Sequence, residues 1–202
     1  ALYCGADVDF VDIDPATLNM SVSSLEAKLQ AARASGARLP KIVVPVHLCG
    51  EPCDMAAIGA LAKEYGFAVI EDASHAVGAF SGSLPVGACE HSDITVFSFH
   101  PVKIITTAEG GAAMTHRADL AEKMALLRSH GITRDPAAMT HEADGGWYYQ
   151  QIDLGYNYRM TELQAALGVS QMRRLDEFVE RRHELAGRYD RLLAPLPLIL
   201  PP

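Results

Sequence analysis

The chain has 202 residues, of which 49% are hydrophobic and 21% charged, and its formal net charge is −8. This composition is typical of a globular protein with one large domain or two small ones, and the negative charge argues against a nucleic-acid partner. No apolar run approaches the roughly 18 residues of a membrane helix and no signal peptide opens the chain, so we expect no membrane partner and a cytoplasmic location, which the four cysteines also suit.

Strands and helices alternate along the first 130 residues. The apolar runs predict strands over residues 8–13, 41–47, 68–71, 94–99 and 111–115. Capping signals predict two helices between them, one opened by a capping box at residues 23–26 and ended by Gly36, the other running from Asp54 to Gly66. A third helix covers about residues 120–130. The alternation indicates an α/β fold around a largely parallel sheet.

The last third of the chain has a different character. Residues 131–158 are irregular and rich in Gly, Asp and aromatic residues, which indicates an ordered functional loop. A capping box at residues 161–164 then opens a long helix. Its apolar stripe predicts a buried face and consists of Leu163, Leu167, Leu175, Phe178, Leu185, Tyr189 and Leu192. Because the sequence starts without methionine and ends abruptly, we expect a fragment of a longer protein.

Lys103 stands out because it is a lone lysine just beyond a strand. The β-branched and aromatic run at residues 94–97 leads into a short polar turn with Ser98 and Lys103. A lysine held partly desolvated in such a turn can act as an amine nucleophile. The chain repeats the arrangement upstream, where an apolar strand ends in Asp72 and His75. Strand ends that present these four side chains match what a pyridoxal phosphate (PLP) pocket requires.

The chemistry of PLP gives three of these residues a specific role. A lysine binds the cofactor aldehyde covalently, which Lys103 can do. A carboxylate such as Asp72 keeps the pyridine nitrogen protonated, so that the ring can accept electrons. Ser98 can donate to the phosphate. Ligands of open α/β sheets bind beyond the carboxyl ends of the strands, so Asp72 and Lys103 can face one crevice.

Four motifs in order along the chain resemble the DegT/StrS-type nucleotide-sugar aminotransferases. They are Glu71-Asp72-Ala-Ser-His75, Phe97-Ser98-Phe-His-Pro-Val-Lys103, Glu109-Gly-Gly111 and Gly155-Tyr-Asn157-Tyr-Arg159. The resemblance covers nearly the whole chain. It implies an α/β fold, a mostly parallel sheet flanked by helices, as in the large domain of the aspartate-aminotransferase class (PLP fold type I), truncated at both ends. Residues 1–160 would be the PLP-binding large domain, incomplete at its N-terminus, and residues 161–202 a long helix leading toward a missing C-terminal small domain.

The resemblance also implies a function for particular residues. Lys103 would be the catalytic lysine and proton shuttle, Asp72 would face the pyridine nitrogen, and Ser98 would bind the phosphate. His75 would lie beside the ring hydroxyl. The resemblance also implies the transfer of an amino group from an amino acid, L-glutamate, to C4 of a 4-keto nucleotide sugar, for surface-glycan or pseudaminic-acid-type sugars.

Two further residues are implied to act at the edge of the site. Asn157 would reach the phosphate of the neighbouring subunit, so that a homodimer shares its active sites. Arg159 would contact the carboxylate of the amino-acid donor.

Each of these residues has an ordinary alternative. Lys103 could be a surface lysine, Asp72 a cap or turn former, His75 a buried hydrogen-bonded histidine, Ser98 a local backbone partner, Asn157 a turn former and Arg159 an ion-pair partner. Glu71 points to the opposite face from Asp72 and is expected to be structural. The spacing of His47, Cys49 and Cys53 lacks a second cysteine pair, so we expect small buried thiols and no metal site.

Two other functions remain open from the sequence. A PLP-dependent sugar dehydratase would share the fold, but those relatives carry histidine at the position of Lys103. A non-catalytic fragment or regulatory PLP-fold module would keep the motifs without activity. The aromatic residues 147–149 could pack at a dimer interface or line the sugar pocket.

Overall fold

The computed structural model describes residues 1–200, which fold around a four-stranded sheet. In chain order the strands are β1 (Ile42–Val43), β2 (Ala68–Asp72), β3 (Phe80–Ser81), β4 (Leu84–Pro85), β5 (Ile94–Ser98), β6 (Gly111–Met114), β7 (Ile132–Thr133) and β8 (Gln150–Gln151). The α-helices are α1 (Val22–Ser35), α2 (Met55–Tyr65), α3 (Ala118–Leu127), α4 (Glu162–Met172) and α5 (Leu175–Leu193). The central sheet has the order β1-β2-β5-β6, parallel except for β6, which confirms the predicted α/β class.

Local capping sets the helix boundaries much as the sequence predicts. Asp54 accepts the Ala57 N–H at 3.0 Å to open α2, and Gly66 ends it in the left-handed conformation with φ 77°. Thr161 opens α4 with a complete capping box. The predicted start of α1 at Ser23 is wrong, because Ser21 is the residue whose side chain caps the helix.

One face of the sheet carries the core. Residues on β1 and β2 alternate between the two faces, and the inward ones pack against α1 and α2. The core cluster includes Leu25, Leu29, Val43, Ile58, Leu61 and Val69. The opposite face is open in this chain, since Val44, Val46 and Val96 are each more than a third exposed.

Three predicted elements differ from the structure. The strand predicted over residues 41–47 is limited to β1, with an isolated bridge from Val46 to Asp72 beyond it. Residues 8–13 do not form a strand, because only Ile13 makes an isolated bridge, to Met20, and Phe10 is 82% exposed. The predicted long helix is divided into α4 and α5 by Arg174, whose φ of −110° and ψ of 9° interrupt the helical path. Neither helix buries any of its predicted stripe residues within the described chain. The division into residues 1–160 and 161–202 stays a prediction.

No helix among residues 1–200 combines the length and the apolar character that crossing a membrane requires.

Candidate active site

Asp72 occupies the carboxyl end of β2, between two neighbouring strand segments. It pairs with Val96 of β5 on one side, while on the other its N–H donates to Pro45 at 2.9 Å and its carbonyl accepts from the His47 N–H at 3.0 Å. The carboxylate is held on one oxygen only: Oδ1 accepts from the Ser74 N–H at 3.1 Å and the Ser74 hydroxyl at 2.5 Å. Within residues 1–200 Oδ2 has no hydrogen-bond partner, so it can bind a ligand.

Lys103 lies in a closed loop, residues 99–110, that follows β5. The backbone of Phe99 closes this loop from both sides: its N–H donates to the Gly110 carbonyl at 2.9 Å, and its carbonyl accepts from the Thr107 N–H at 3.0 Å. The Lys103 N–H donates to the His100 carbonyl at 2.9 Å in a tight turn. The side chain is half-buried, and Nζ has no hydrogen-bond or ion-pair partner in the described part of the chain.

Ser98 lies on the same face of the sheet as Asp72. Asp72 is opposite Val96 in the register, and Ser98 is two residues beyond Val96, so the period-two alternation of a strand puts both on one face. The Ser98 oxygen accepts the His100 N–H at 3.5 Å, and its own hydrogen has no acceptor among the described residues. Asp72, Ser98 and the start of the Lys103 loop therefore share one edge of the sheet.

His75 has a defined tautomer because of a backbone contact that the sequence did not reveal. Its Nδ1 accepts the N–H of Cys49 at 3.4 Å, so the ring carries its proton on Nε2, which has no other partner in residues 1–200. Cys49 presents this N–H from a left-handed conformation with φ 55°. The expectation of buried thiols holds for Cys53 and is wrong for Cys49, which is exposed.

Asn157 and Arg159 are not assembled with the four side chains above. Both are exposed, and neither makes a side-chain hydrogen bond to those residues in the described structure. The backbone around them is fixed, since Asn157 bridges Ser129 and the following residue donates to the Arg128 carbonyl at 2.9 Å. The fixed backbone leaves both side chains accessible.

A buried polar network lies on the opposite face, directly behind Asp72. Glu71 Oε2 is 2.7 Å from His47 Nε2, and Oε1 accepts from the Thr95 hydroxyl at 2.7 Å and from Ser92. His47 Nδ1 accepts the Cys53 N–H at 3.1 Å, so the imidazole donates to Glu71 through Nε2. His47 is fully buried and Glu71 is 5% exposed. Strand periodicity predicts the direction of Glu71 but gives no sign of its partners, which are more than 20 residues away.

This network makes Glu71 important for stability. Burial by itself raises the pKa of Glu71, but the hydrogen bonds from His47, Ser92 and Thr95 lower it below the ordinary 4.5. Glu71→Ala leaves buried donors unpaired, and we expect it to lower the free energy of unfolding by about 3–5 kcal/mol, measured by urea denaturation.

The effect of Glu71 also depends on pH. Because the pKa of Glu71 is lower in the folded state, ionised Glu71 adds to the free energy of unfolding above about pH 4.5. This stabilisation is lost as the pH falls through the lower folded-state pKa. Glu122→Ala, at an exposed helical site, is the matched control and should change stability by less than about 0.5 kcal/mol. Equal unfolding free energies for the two variants at pH 7 would show that the network does not stabilise the fold.

Known proteins are similar to this chain in sequence and in fold. The model of the DegT/DnrJ/EryC1/StrS aminotransferase family matches residues 1–202. The chain belongs to this family. The predicted resemblance and the predicted fold class of the family are therefore confirmed.

The similarity to named members of the family is substantial. The chain is 40% identical over 192 residues to UDP-4-amino-4,6-dideoxy-N-acetyl-beta-L-altrosamine transaminase of Campylobacter jejuni, which covers 95% of this chain and 46% of that protein. It is 41% identical over 194 residues to GDP-perosamine synthase of Caulobacter vibrioides, covering 96% and 47%. The structure of Helicobacter pylori PseC, an aminotransferase of pseudoaminic acid biosynthesis, matches with a TM-score of 0.83 and 31% identity, covering 97% and 48%. The chain thus spans about half the length of the relatives it matches.

The cofactor of the family is PLP, as predicted, and solved family structures include PLP and PMP forms. The residues of this chain fit it. Four polar groups have no partner within the described chain: Asp72 Oδ2, His75 Nε2, the Ser98 hydroxyl hydrogen and Lys103 Nζ. Within residues 1–200, every fully buried side-chain N or O atom of a residue that is not itself exposed has a partner, so the unpaired Asp72 Oδ2, His75 Nε2 and Lys103 Nζ are open to solvent. Together with Ser98, these groups comprise the carboxylate, donors and amine that bind a pyridinium, a phenolate, a phosphate and an aldehyde.

Proposed function

We propose that the protein is a PLP-dependent aminotransferase that moves an amino group from an amino acid, L-glutamate, to C4 of a 4-keto nucleotide sugar. One observation carries this proposal: Asp72 and Ser98 share a face of the sheet at the edge where the Lys103 loop begins, and each has an unpartnered polar group there. The names of the relatives, a transaminase and a synthase of nucleotide-linked amino sugars, support the substrate class.

Each of the four side chains has a separate role in the proposed reaction. PLP, when bound, supplies the electron sink that lets a proton leave the carbon next to the amine. Lys103 Nζ binds the cofactor and moves that proton. Asp72 Oδ2 holds a proton on the ring nitrogen, Ser98 donates to the phosphate, and His75 Nε2–H donates to the ring oxygen.

We further propose a homodimer with shared active sites. Asn157 would bind the phosphate in the neighbouring subunit, and Arg159 would bind the carboxylate of the amino-acid donor. The exposure of both side chains supports this. Tyr156 and Tyr158 flank Asn157, are stacked with ring centroids 4.8 Å apart and are each more than half exposed, as expected for an interface rich in aromatic residues.

The sugar and the location are finer points of the same proposal. The likeness to the altrosamine transaminase and to PseC favours a nucleotide sugar of a surface-glycan or pseudaminic-acid type. A cytoplasmic location fits the state of the buried thiols, since Cys53 donates to the Val46 carbonyl and Cys89 to the Met114 carbonyl as free cysteines.

Separating the two half-reactions tests the function. The whole protein loaded with PLP should release one equivalent of 2-oxoglutarate per site from L-glutamate alone, and a 4-keto nucleotide sugar should then restore the absorbance of the lysine-bound cofactor. Initial rates should give the parallel lines of ping-pong kinetics.

Two other outcomes would point to the alternatives. Cofactor bound to Lys103 without keto-acid release from any amino acid would indicate a non-catalytic module. Loss of a sugar hydroxyl without nitrogen transfer would indicate a dehydratase.

A further inference from the structure

Helix α4 contacts the loop that carries Lys103 at two points. Gln164, in the first turn of the helix, donates through Nε2 to the Glu109 carbonyl at 3.0 Å. Gly168, one turn further along, faces Thr107: a Cβ placed on this glycine would lie 2.8 Å from Thr107 Cγ2, closer than real Cβ contacts. Both contacts are made to the second half of the loop, four to six residues after Lys103.

The part of the loop that α4 touches is also the part that closes it. Thr107 is 1% exposed, and its N–H bonds to the carbonyl of Phe99 at the start of the loop. Its hydroxyl donates to the Glu109 carbonyl at 2.8 Å, the same oxygen that Gln164 binds. A shift of Thr107 therefore moves the two ends of the loop relative to each other, with Lys103 between them.

Gln164 is itself fixed at both ends of its amide. Its Oε1 accepts the Thr161 N–H at 2.9 Å and the Thr161 hydroxyl at 3.0 Å. Because its oxygen is held by the helix cap, its nitrogen has one orientation, toward the loop. The cap of α4 and the Lys103 loop are joined through a single side chain.

We propose that Gln164 and Gly168 are positioning residues, which hold the Lys103 loop in register with the edge of the sheet. The proposal rests on the proposed function of Lys103. Gln164 pulls the loop toward the helix, and the missing side chain of Gly168 lets Thr107 approach the helix backbone. A displacement of about 1 Å at a reacting group can lower a rate about 100-fold. The contact between α4 and the Lys103 loop therefore affects turnover although neither Gln164 nor Gly168 is proposed to touch the cofactor.

Gly168→Ala is the direct test, and Gly187→Ala in α5 is its matched control. Both replace a helical glycine by alanine, which favours the helix. At Gly187 the added Cβ has 3.7 Å to its nearest neighbour, Arg191 Nη1, so nothing has to move. We expect Gly168→Ala to accelerate amide hydrogen exchange at Phe99 and Thr107 in the cofactor-free whole protein, and to lower turnover about 100-fold. Gly187→Ala should change neither.

A second change at the contact tests the mechanism of the effect. Thr107→Ser removes Cγ2, the atom that the new methyl would meet, and keeps the hydroxyl that binds Glu109. The double variant Thr107→Ser/Gly168→Ala should recover the exchange rates and turnover of Thr107→Ser alone, also if Gly168→Ala by itself folds poorly. Gln164→Glu removes the donor to Glu109 and keeps the acceptor of the helix cap, so it should accelerate exchange in residues 99–110.

The possible results separate this proposal from the function on which it rests. Equal exchange in the two glycine variants, or no recovery in the double variant, overturns the positioning role. If wild-type protein never attaches PLP to Lys103, the proposed function fails, while the exchange data still decide whether α4 holds the loop.

Discussion

Replacing Lys103 by alanine should abolish covalent attachment of PLP and lower turnover at least about 100-fold in the whole protein. The reason is that no other primary amine lies in residues 99–110. Folding should be unaffected, because Lys103 Nζ has no partner within residues 1–200, and we expect a change of less than about 0.5 kcal/mol in unfolding free energy. Borohydride reduction followed by peptide mass spectrometry locates the attached cofactor.

Two further variants control this experiment. Lys63→Ala removes an exposed lysine from the last turn of α2 and should keep both cofactor and activity. Lys103→Arg keeps the positive charge but not a reactive amine, so it should behave like the alanine variant. A borohydride-reducible bond in Lys103→Ala would show that a different lysine holds the cofactor.

Replacing Asp72 by asparagine should lower turnover about 10- to 1,000-fold with little change in stability. An opposite charge in contact with a titrating group shifts its pKa by about 1–3 units, and the ring nitrogen would lose this support. Asparagine keeps the Oδ1 that binds Ser74 but replaces Oδ2, the free oxygen, by a donor. The pH dependence of the absorbance of the bound cofactor would report the loss, independently of turnover.

Ser74→Ala provides the matched control for this change. It removes one hydrogen bond to Oδ1 and leaves the charge in place, so its effect on turnover should be much smaller than that of Asp72→Asn. An equal loss in both variants would mean that the orientation of the carboxylate, and not its charge, limits the reaction.

Much of the fold could be predicted from local signals. Strands β2 and β5 are short apolar runs. Helix α2 begins after Asp54, whose side chain caps its N-terminus, and ends at Gly66, which adopts the left-handed conformation. Such signals need only neighbours in sequence. The same holds for the capping box at the start of α4.

The errors concern features that depend on distant partners. The alternating run at residues 8–13 has the pattern of a strand, but a strand needs a neighbour to pair with, and only Ile13 has one among the described residues. The break between α4 and α5 at Arg174 contains neither Gly nor Pro, the residues that usually indicate the end of a helix. Helical periodicity continues across the break in the sequence, which is why one helix is predicted.

The same distinction applies to the site. Motifs and strand ends predict which residues face the crevice, and Asp72 and Ser98 do share a face of the sheet. The contacts that orient His75 and the Lys103 loop could not be predicted, because Cys49 acts on His75 through its backbone N–H and Gln164 reaches the Glu109 carbonyl 55 residues away. Backbone donors and long-range contacts do not show in the amino-acid type at a position, so the sequence does not reveal them.

Glu71 and Asp72 are neighbours in the sequence, but substitutions at the two positions have different consequences for protein engineering. Because the strand turns the two side chains to opposite sides, a library that randomises the crevice can vary the environment of Asp72 without touching the donors that hydrogen-bond Glu71. Error-prone mutagenesis makes no such distinction, and clones altered at residue 71 would be discarded for poor expression before their catalysis was ever measured.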